Sequence, residues 1–268
     1  MTVSNNEYKE LLARIEDVIS MSDSGVPAKT KFLSPAEVLY ARNLLAHRKL
    51  MDRACFIGGY DGAERQRLVV LPSYLDGIEG DPADMFREYF PDDAKTVARI
   101  IKISGSGYVS LSHRDYLGSI LGLGIQRDAI GDIVISDNFS AYTFADGKVA
   151  DLLISDLVKV KTDKVKVSEC SSDIGLSFKR EFYSISDTVA SARLDCVVAS
   201  LANLSRDKAQ MLIASGMCQM NYVEEARNDR GIDAGDVITL RGYGKFIIRE
   251  LSDKTKKGRL RLIADKYV

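Results

Sequence analysis

Near the start of the chain, apolar residues recur at helical spacing. Leu11, Leu12, Ile15, Val18 and Ile19 fall on one face of a helix expected over 7–19. Ser34 precedes Pro35 and stands three positions before Glu37, the signature of a capped helix start. Beyond that helix the pattern shortens to two strands, 54–58 and 67–71, around the loop 59–65, which makes a small α/β unit. Residues 72–91, with Gly77, Gly80 and Pro82, read as the linker leaving it.

The next stretch alternates differently: strand 97–103, helix 113–123, strand 132–135, strand 141–144, helix 148–158, strand 164–168. Ser112 and Asp115 are spaced to cap the first of these helices, and Gly122 or Gly124 can end it. This βαββαβ order is the ferredoxin-like arrangement shared by RNA-recognition motifs, a fold that hosts many functions. Stacking bases on such a sheet takes aromatics on its two central strands. Tyr142 and Phe144 share a face of the third strand, but the first strand has no aromatic, so both are expected to serve the core or sheet face first.

A third pattern follows. Leu194, Val197, Val198 and Leu201 face inward on one helix. Ser205 caps a second, with Ala209, Leu212 and Ile213 inward, Arg206, Lys208 and Gln210 outward, and Gly216 at its end. A strand over 218–221, a turn at Gly235-Asp236 and a strand over 237–241 complete it. The expected fold is α+β in three parts: an N-terminal α/β domain (1–75), a central ferredoxin-like domain (76–182) and a C-terminal domain (183–268) with a basic tail.

Composition narrows the class. The 268 residues are 46% apolar and 28% charged with a net charge of -1, as expected for a soluble globular protein. The start of the chain is polar and acidic, and no apolar run approaches the roughly 20 residues of a membrane span, so a cytoplasmic protein without a membrane partner is expected. Cys55, Cys170, Cys196 and Cys218 lie far apart, and only His47 and His113 are histidines, so no metal, cofactor or disulfide framework is expected. Charge is uneven: 14 basic residues face 11 acidic ones from Ser184 onward, against 23 and 27 before it. Lys245, Arg249, Lys254, Lys256, Lys257, Arg259, Arg261 and Lys266 concentrate the surplus at the end, where a solvated tail is the plain alternative to a binding patch.

The block 192–245 resembles the S4 domain of ribosomal protein S4 and its relatives. It carries Arg193-Leu194-Asp195, then Leu204-Ser205-Arg206 with Ala209, Leu212-Ile213 and Gly216, then Asn221 and Gly235-Asp236-Val237. Two longer signatures, 56–67 (Phe56-Ile57-Gly58-Gly59-Tyr60-Asp61-Gly62-Ala63-Glu64-Arg65-Gln66-Arg67) and 111–133 with Ser112-His113-Arg114-Asp115, are similar to the YlmH family of bacterial S4-domain proteins. The resemblance implies an RNA-recognition-like central domain and a cytoplasmic protein that meets rRNA and tRNA on the large ribosomal subunit in ribosome-associated quality control. It implies RNA contacts at Arg193, Arg206, Lys208 and Lys245; Ser205, Gln210, Asn221 and Arg241 are further candidates in the same block, and His113, Arg114 and Arg127 secondary ones, with helix capping and packing an equal reading of the His113-Arg114-Asp115 motif. The chemistry agrees, since two short helices gather Arg193, Arg206 and Lys208 at one edge, where they can meet phosphates of folded RNA.

S4 domains also accompany catalytic domains, so enzymes stand as the alternative, with a cell-division-linked interaction protein as a third class. Arg193-Leu194-Asp195 is superficially like the pseudouridine synthase aspartate motif, but it opens the S4 helix and no Gly-Leu-Leu follows. Gly105-Ser106-Gly107 lacks the third glycine of a dinucleotide or methyl-donor loop, and neither a phosphate-binding loop nor a nucleophile elbow occurs. No enzyme and no small-molecule substrate are expected.

Overall fold

The computed structural model describes residues 5–137, 139–170, 182–254 and 258–267. Lys256 and Lys257 of the basic run and residues 1–4 of the polar start lie outside the described residues. The fold is α+β, and the chain divides into two compact units, Glu7–Phe178 and one built on Lys179–Val268. Residues 7–178, most of the segments expected as 1–75 and 76–182, fall in the first unit.

That unit opens with α1 (Asn5–Ser22), β1 (Ala28–Lys29), α2 (Pro35–His47), β2 (Ala54–Ile57) and β3 (Arg67–Val70). Ser34 and Glu37 form the expected capping box, the Glu37 carboxylate accepting from the Ser34 N–H at 2.7 Å. The strands pair antiparallel in the order β1-β3-β2, and their alternating side chains reach two cores. Leu68 and Val70 pack with Leu11, Ile15 and Leu45 of the two helices. Val69 and Cys55, on the other face, pack with Met85 and Phe86.

Those last two residues correct the expected linker over 72–91, which contains α3 (Pro82–Tyr89) and leads into α4 (Pro91–Thr96). Asp81 accepts from the N–H groups of Ala83 and Asp84, and Pro82 fits the first helical position because it has no N–H to satisfy. Phe86 is fully buried and anchors the helix.

The rest of the unit is β4 (Arg99–Ser104), α5 (His113–Leu121), β5 (Ile130–Asp137), β6 (Ser140–Ala145), α6 (Gly147–Asp156), a small hairpin of β7 (Lys159–Val160) and β8 (Asp163–Lys164), and β9 (Lys166–Cys170). The four long strands form an antiparallel sheet in the order β5-β6-β4-β9, the ferredoxin-like order expected from βαββαβ. Ile101, Ile103 and Ala141 point to α5 and α6, where Tyr116, Ile120 and Leu153 close the core. The opposite face is partly covered by Phe32 and Tyr60 of the preceding segment, which pack on Phe144 and Ile100.

In the second unit, β10 (Phe182–Val189), α7 (Leu194–Leu201) and α8 (Arg206–Ala214) precede β11 (Cys218–Met220), β12 (Val223–Glu224), β13 (Val237–Leu240), β14 (Gly244–Lys254) and β15 (Leu260–Tyr267). The antiparallel sheet runs β10-β15-β14-β13-β11-β12. Both helices cover one face of it, where Val197, Val198, Ala209 and Ile213 meet Ile238, Phe246, Ile248 and Leu262. The expected basic tail is therefore largely sheet: Lys245 and Arg249 lie in β14, and Arg261 and Lys266 in β15. Phe246, Ile248, Leu262 and Ala264 of the same strands are buried beneath the helices, with Lys245, Arg249 and Arg261 on the opposite face and Lys266 paired with Phe246 at the edge of the buried one.

Among the described residues, no helix is long and apolar enough to cross a membrane, and no cluster of three or more His, Cys, Asp or Glu could hold a metal ion. Cys55 and Cys218 are buried, and burial pushes each thiol up to about 12.

Candidate functional site

The site in the second unit is built around a carboxylate. Asp195, at the start of α7, has no exposed surface. Its backbone N–H donates to the Asn228 carbonyl at 3.0 Å, and the preceding N–H of Leu194 donates to the Arg230 carbonyl at 2.8 Å, so the segment 228–232 satisfies the first turn of the helix. The Asp195 side chain then collects three neighbours. Arg193 Nε donates at 3.1 Å, Arg206 Nε at 2.9 Å and Gln210 Nε2 at 2.8 Å. Burial alone would raise the Asp195 pKa, but the hydrogen bonds from Arg193, Gln210 and Arg206 outweigh it and hold the carboxyl far below the usual carboxylate range.

This arrangement draws together Arg193 before α7 with Arg206 and Gln210 on α8, four residues apart on one face of that helix. The outward orientation expected for Arg206 and Gln210 is therefore only half correct. Gln210 is half-buried and engaged by Asp195, and Arg206 is tethered at Nε while 53% of its side chain remains exposed. A guanidinium has five N–H donors, so Arg193 and Arg206 keep donors for a ligand while their positions are fixed from beneath. Lys208 is exposed on the same helix, and Ser205 caps it by accepting from the Lys208 N–H at 3.4 Å.

The remaining expected contacts lie apart from this cluster. Asn221 does structural work: its side chain donates to Asp236 at 2.8 Å and accepts from the Val237 N–H at 2.9 Å. Lys245 precedes the buried Phe246 on β14, which puts it on the sheet face opposite the helices, while Arg241 is exposed in the turn between β13 and β14.

In the first unit, the two long signatures meet. Asp132 accepts from the Tyr60 hydroxyl at 2.7 Å and from the N–H groups of Glu64 at 2.7 Å and Arg65 at 3.1 Å. The Arg65 guanidinium reaches the carbonyls of Phe32 and Ile130. Tyr60 stacks on Phe144, whose ring is fully buried, so in this conformation Phe144 offers no face to a base. Arg127 spends its guanidinium on the carbonyls of Ile130 and Gly131, both at 2.9 Å, and burial together with the Arg65 charge lowers its pKa to about 10. His113 and Arg114 are exposed at the start of α5. Partial burial and the Arg127 charge lower the His113 pKa.

Neither the organising role of Asp195 nor that of Asp132 was anticipated from the residue pattern. The signal for Asp195 was an acidic residue among inward-facing apolar positions of a helix, which must be paired when buried.

The family described as "Putative RNA-binding domain in YlmH" matches residues 91–173, the stretch that holds the ferredoxin-like sheet. The chain is 30% identical over 234 residues to the ribosome-associated protein quality control protein P2 of Bacillus subtilis (strain 168), which covers 87% of this chain and 84% of that one. The chain belongs to the YlmH family. Among solved structures, the cell division protein ylmH from Streptococcus pneumoniae aligns with a TM-score of 0.48 at 19% identity, covering 64% of this chain and 94% of that chain.

Proposed function

We propose that this protein binds folded RNA through the α7–α8 edge of its C-terminal unit and acts by binding alone, without turnover. Its RNA is rRNA and tRNA on the large ribosomal subunit, and its setting is ribosome-associated quality control in the cytoplasm, the process for which the Bacillus subtilis relative is named. The observation that carries this reading is the buried Asp195 carboxylate, which fixes Arg193 and Arg206 together, with Lys208 exposed on the same helix. Cations held at a fixed spacing suit the phosphates of an A-form helix, which proteins read by backbone shape. The family match over 91–173 supports an RNA partner for the first unit as well, with His113 and Arg114 as the exposed candidates there.

The test is sedimentation of the full chain with purified large ribosomal subunits at graded salt. Wild-type protein is expected to comigrate and to be released as salt rises, and Lys208→Glu to be released at lower salt. Equal salt resistance of the two proteins would remove the α7–α8 edge as the ribosome contact.

A further inference from the structure

On the sheet of the second unit, the face turned away from α7 and α8 has its own pattern. Phe246 and Ile248 of β14 and Leu262 and Ala264 of β15 are buried beneath the helices, so alternation places Lys245, Ile247, Asp265 and Tyr267 on the other side. There Lys245 Nζ lies 4.7 Å from the centre of the Tyr222 ring and 4.6 Å from that of Tyr267. Tyr267 meets Phe182 edge-on at 5.1 Å, and the Arg249 guanidinium lies 5.3 Å from the Phe182 ring. Rings and cations thus alternate over three strands, β10, β15 and β14, and the β11–β12 turn. Phe182 and Arg249 are exposed, and Tyr222, Lys245 and Tyr267 half-buried. On this face Asp265 is engaged by Arg249 and Glu250 by Ser252.

One of these rings stands where the fold does not favour it. Met220 pairs with Val223, so Asn221 and Tyr222 form a two-residue hairpin turn, with φ of 50° and 68°. Such turns favour Asn and Gly, because a bulky side chain is strained in the left-handed region. Asn221 fits and is locked by Asp236 and Val237. Tyr222 is held in a strained position that the turn itself does not require, and there its ring flanks Lys245.

We infer that this face is a second RNA-contact surface that takes an unpaired RNA segment. Bases stack on Tyr222, Tyr267 and Phe182, and the backbone phosphates meet Lys245, Arg249 and Arg241. Stacking platforms interleaved with cations are the general means of holding single strands, because every base has an aromatic face and every linkage a charge. An apolar protein partner would be poorly served by a surface where each ring has a cation beside it. The inference rests on the RNA-binding reading above and adds to it: a stem on the α7–α8 edge and its unpaired flank on the opposite sheet face.

The experiment uses the full chain and three labelled probes: a blunt RNA hairpin, the same hairpin with an overhang of about six adenosines, and the hexamer alone, a length within the site sizes of single-strand binders. Fluorescence anisotropy is expected to give about tenfold tighter binding with the overhang, in line with one well-stacked base. Tyr222→Asn and Tyr267→Leu should abolish that gain and leave blunt-hairpin affinity unchanged, whereas Lys208→Glu should weaken the blunt hairpin and keep the gain. Tyr222→Asn suits the turn, so its melting temperature should equal or exceed that of the wild type, which separates lost contact from lost fold. If the overhang adds nothing to the wild type, or adds as much to both tyrosine variants, the inference is overturned. If the blunt hairpin is not bound at all, the α7–α8 reading fails, while the hexamer alone still decides this one.

Discussion

Arg206 Nε donates to Asp195 Oδ2 at 2.9 Å, and that oxygen belongs to a side chain with no contact with solvent. Arg206 therefore cannot be treated as a surface charge. Arg206→Ala leaves a buried carboxylate with one partner fewer, which should cost about 1–3 kcal/mol, Arg193 and Gln210 remaining to share the charge. Lys208→Ala, two residues further along the helix and exposed, should stay within about 0.5 kcal/mol. Thermal or urea unfolding of the two single variants checks this, and equal stability would mean that the ion pair contributes nothing.

Asp195→Asn separates position from charge. The substitution removes one negative charge from the cluster, so charge counting alone predicts tighter RNA binding. If the carboxylate positions Arg193, Arg206 and Gln210, binding weakens instead, and the sign of the change decides. The same variant has a pH signature. A carboxyl whose folded pKa is depressed contributes stability that is present above its unfolded value, about 3.9, and is lost as pH falls through the folded value. Wild-type protein should thus lose stability below about pH 4 through this group, a loss that Asp195→Asn cannot show. Unfolding midpoints measured from pH 7 to pH 3 compare the two.

Much of the architecture was legible because it rests on local rules. Ser34-Pro35 with Glu37 and Ser112 with Asp115 announce helix starts, and the βαββαβ order implied its strand order. What failed was local too, but masked by composition. Asp81-Pro82 is a helix start hidden among glycines and acidic residues, and the strands that bury Phe246, Ile248, Leu262 and Ala264 were masked by the lysines and arginines that flank these short runs. The cluster at Asp195 was legible only in part, because which cation pairs with a buried acid depends on how α7 and α8 pack, and periodicity does not encode that.

The signature loop gives a cleaner contrast between two glycines. Gly59 has φ of 93°, and a Cβ there would lie 2.2 Å from Phe144 Cδ1, inside a buried ring contact. Gly62 has φ of 79° and nothing within 4 Å of an added Cβ. Gly62→Ala should cost only the backbone penalty, about 1–2 kcal/mol. Gly59→Ala adds the displacement of Phe144 and Tyr60, for a total of about 3 kcal/mol or more. Denaturant midpoints of the two variants test whether the loop is clamped at Phe144.

Loss of binding must be told apart from loss of fold, and the α8 helix offers both changes within six residues. Ile213 is fully buried between the helices and the sheet, so Ile213→Ala should cost about 2–5 kcal/mol by leaving a cavity. Lys208 is exposed on the same helix, and Lys208→Ala should leave the melting temperature nearly unchanged. If Lys208 meets a phosphate, its removal should make the dependence of log affinity on log salt shallower by somewhat under one unit, since each phosphate contact contributes about 0.9 in duplex DNA and about 0.7 on single strands. Titrating both variants and the wild type with large ribosomal subunits at several salt concentrations gives the slopes directly. An unchanged slope for Lys208→Ala, with its fold intact, would show that this lysine faces no phosphate, and the exposed pair His113 and Arg114 at the start of α5 would be the next cations to test.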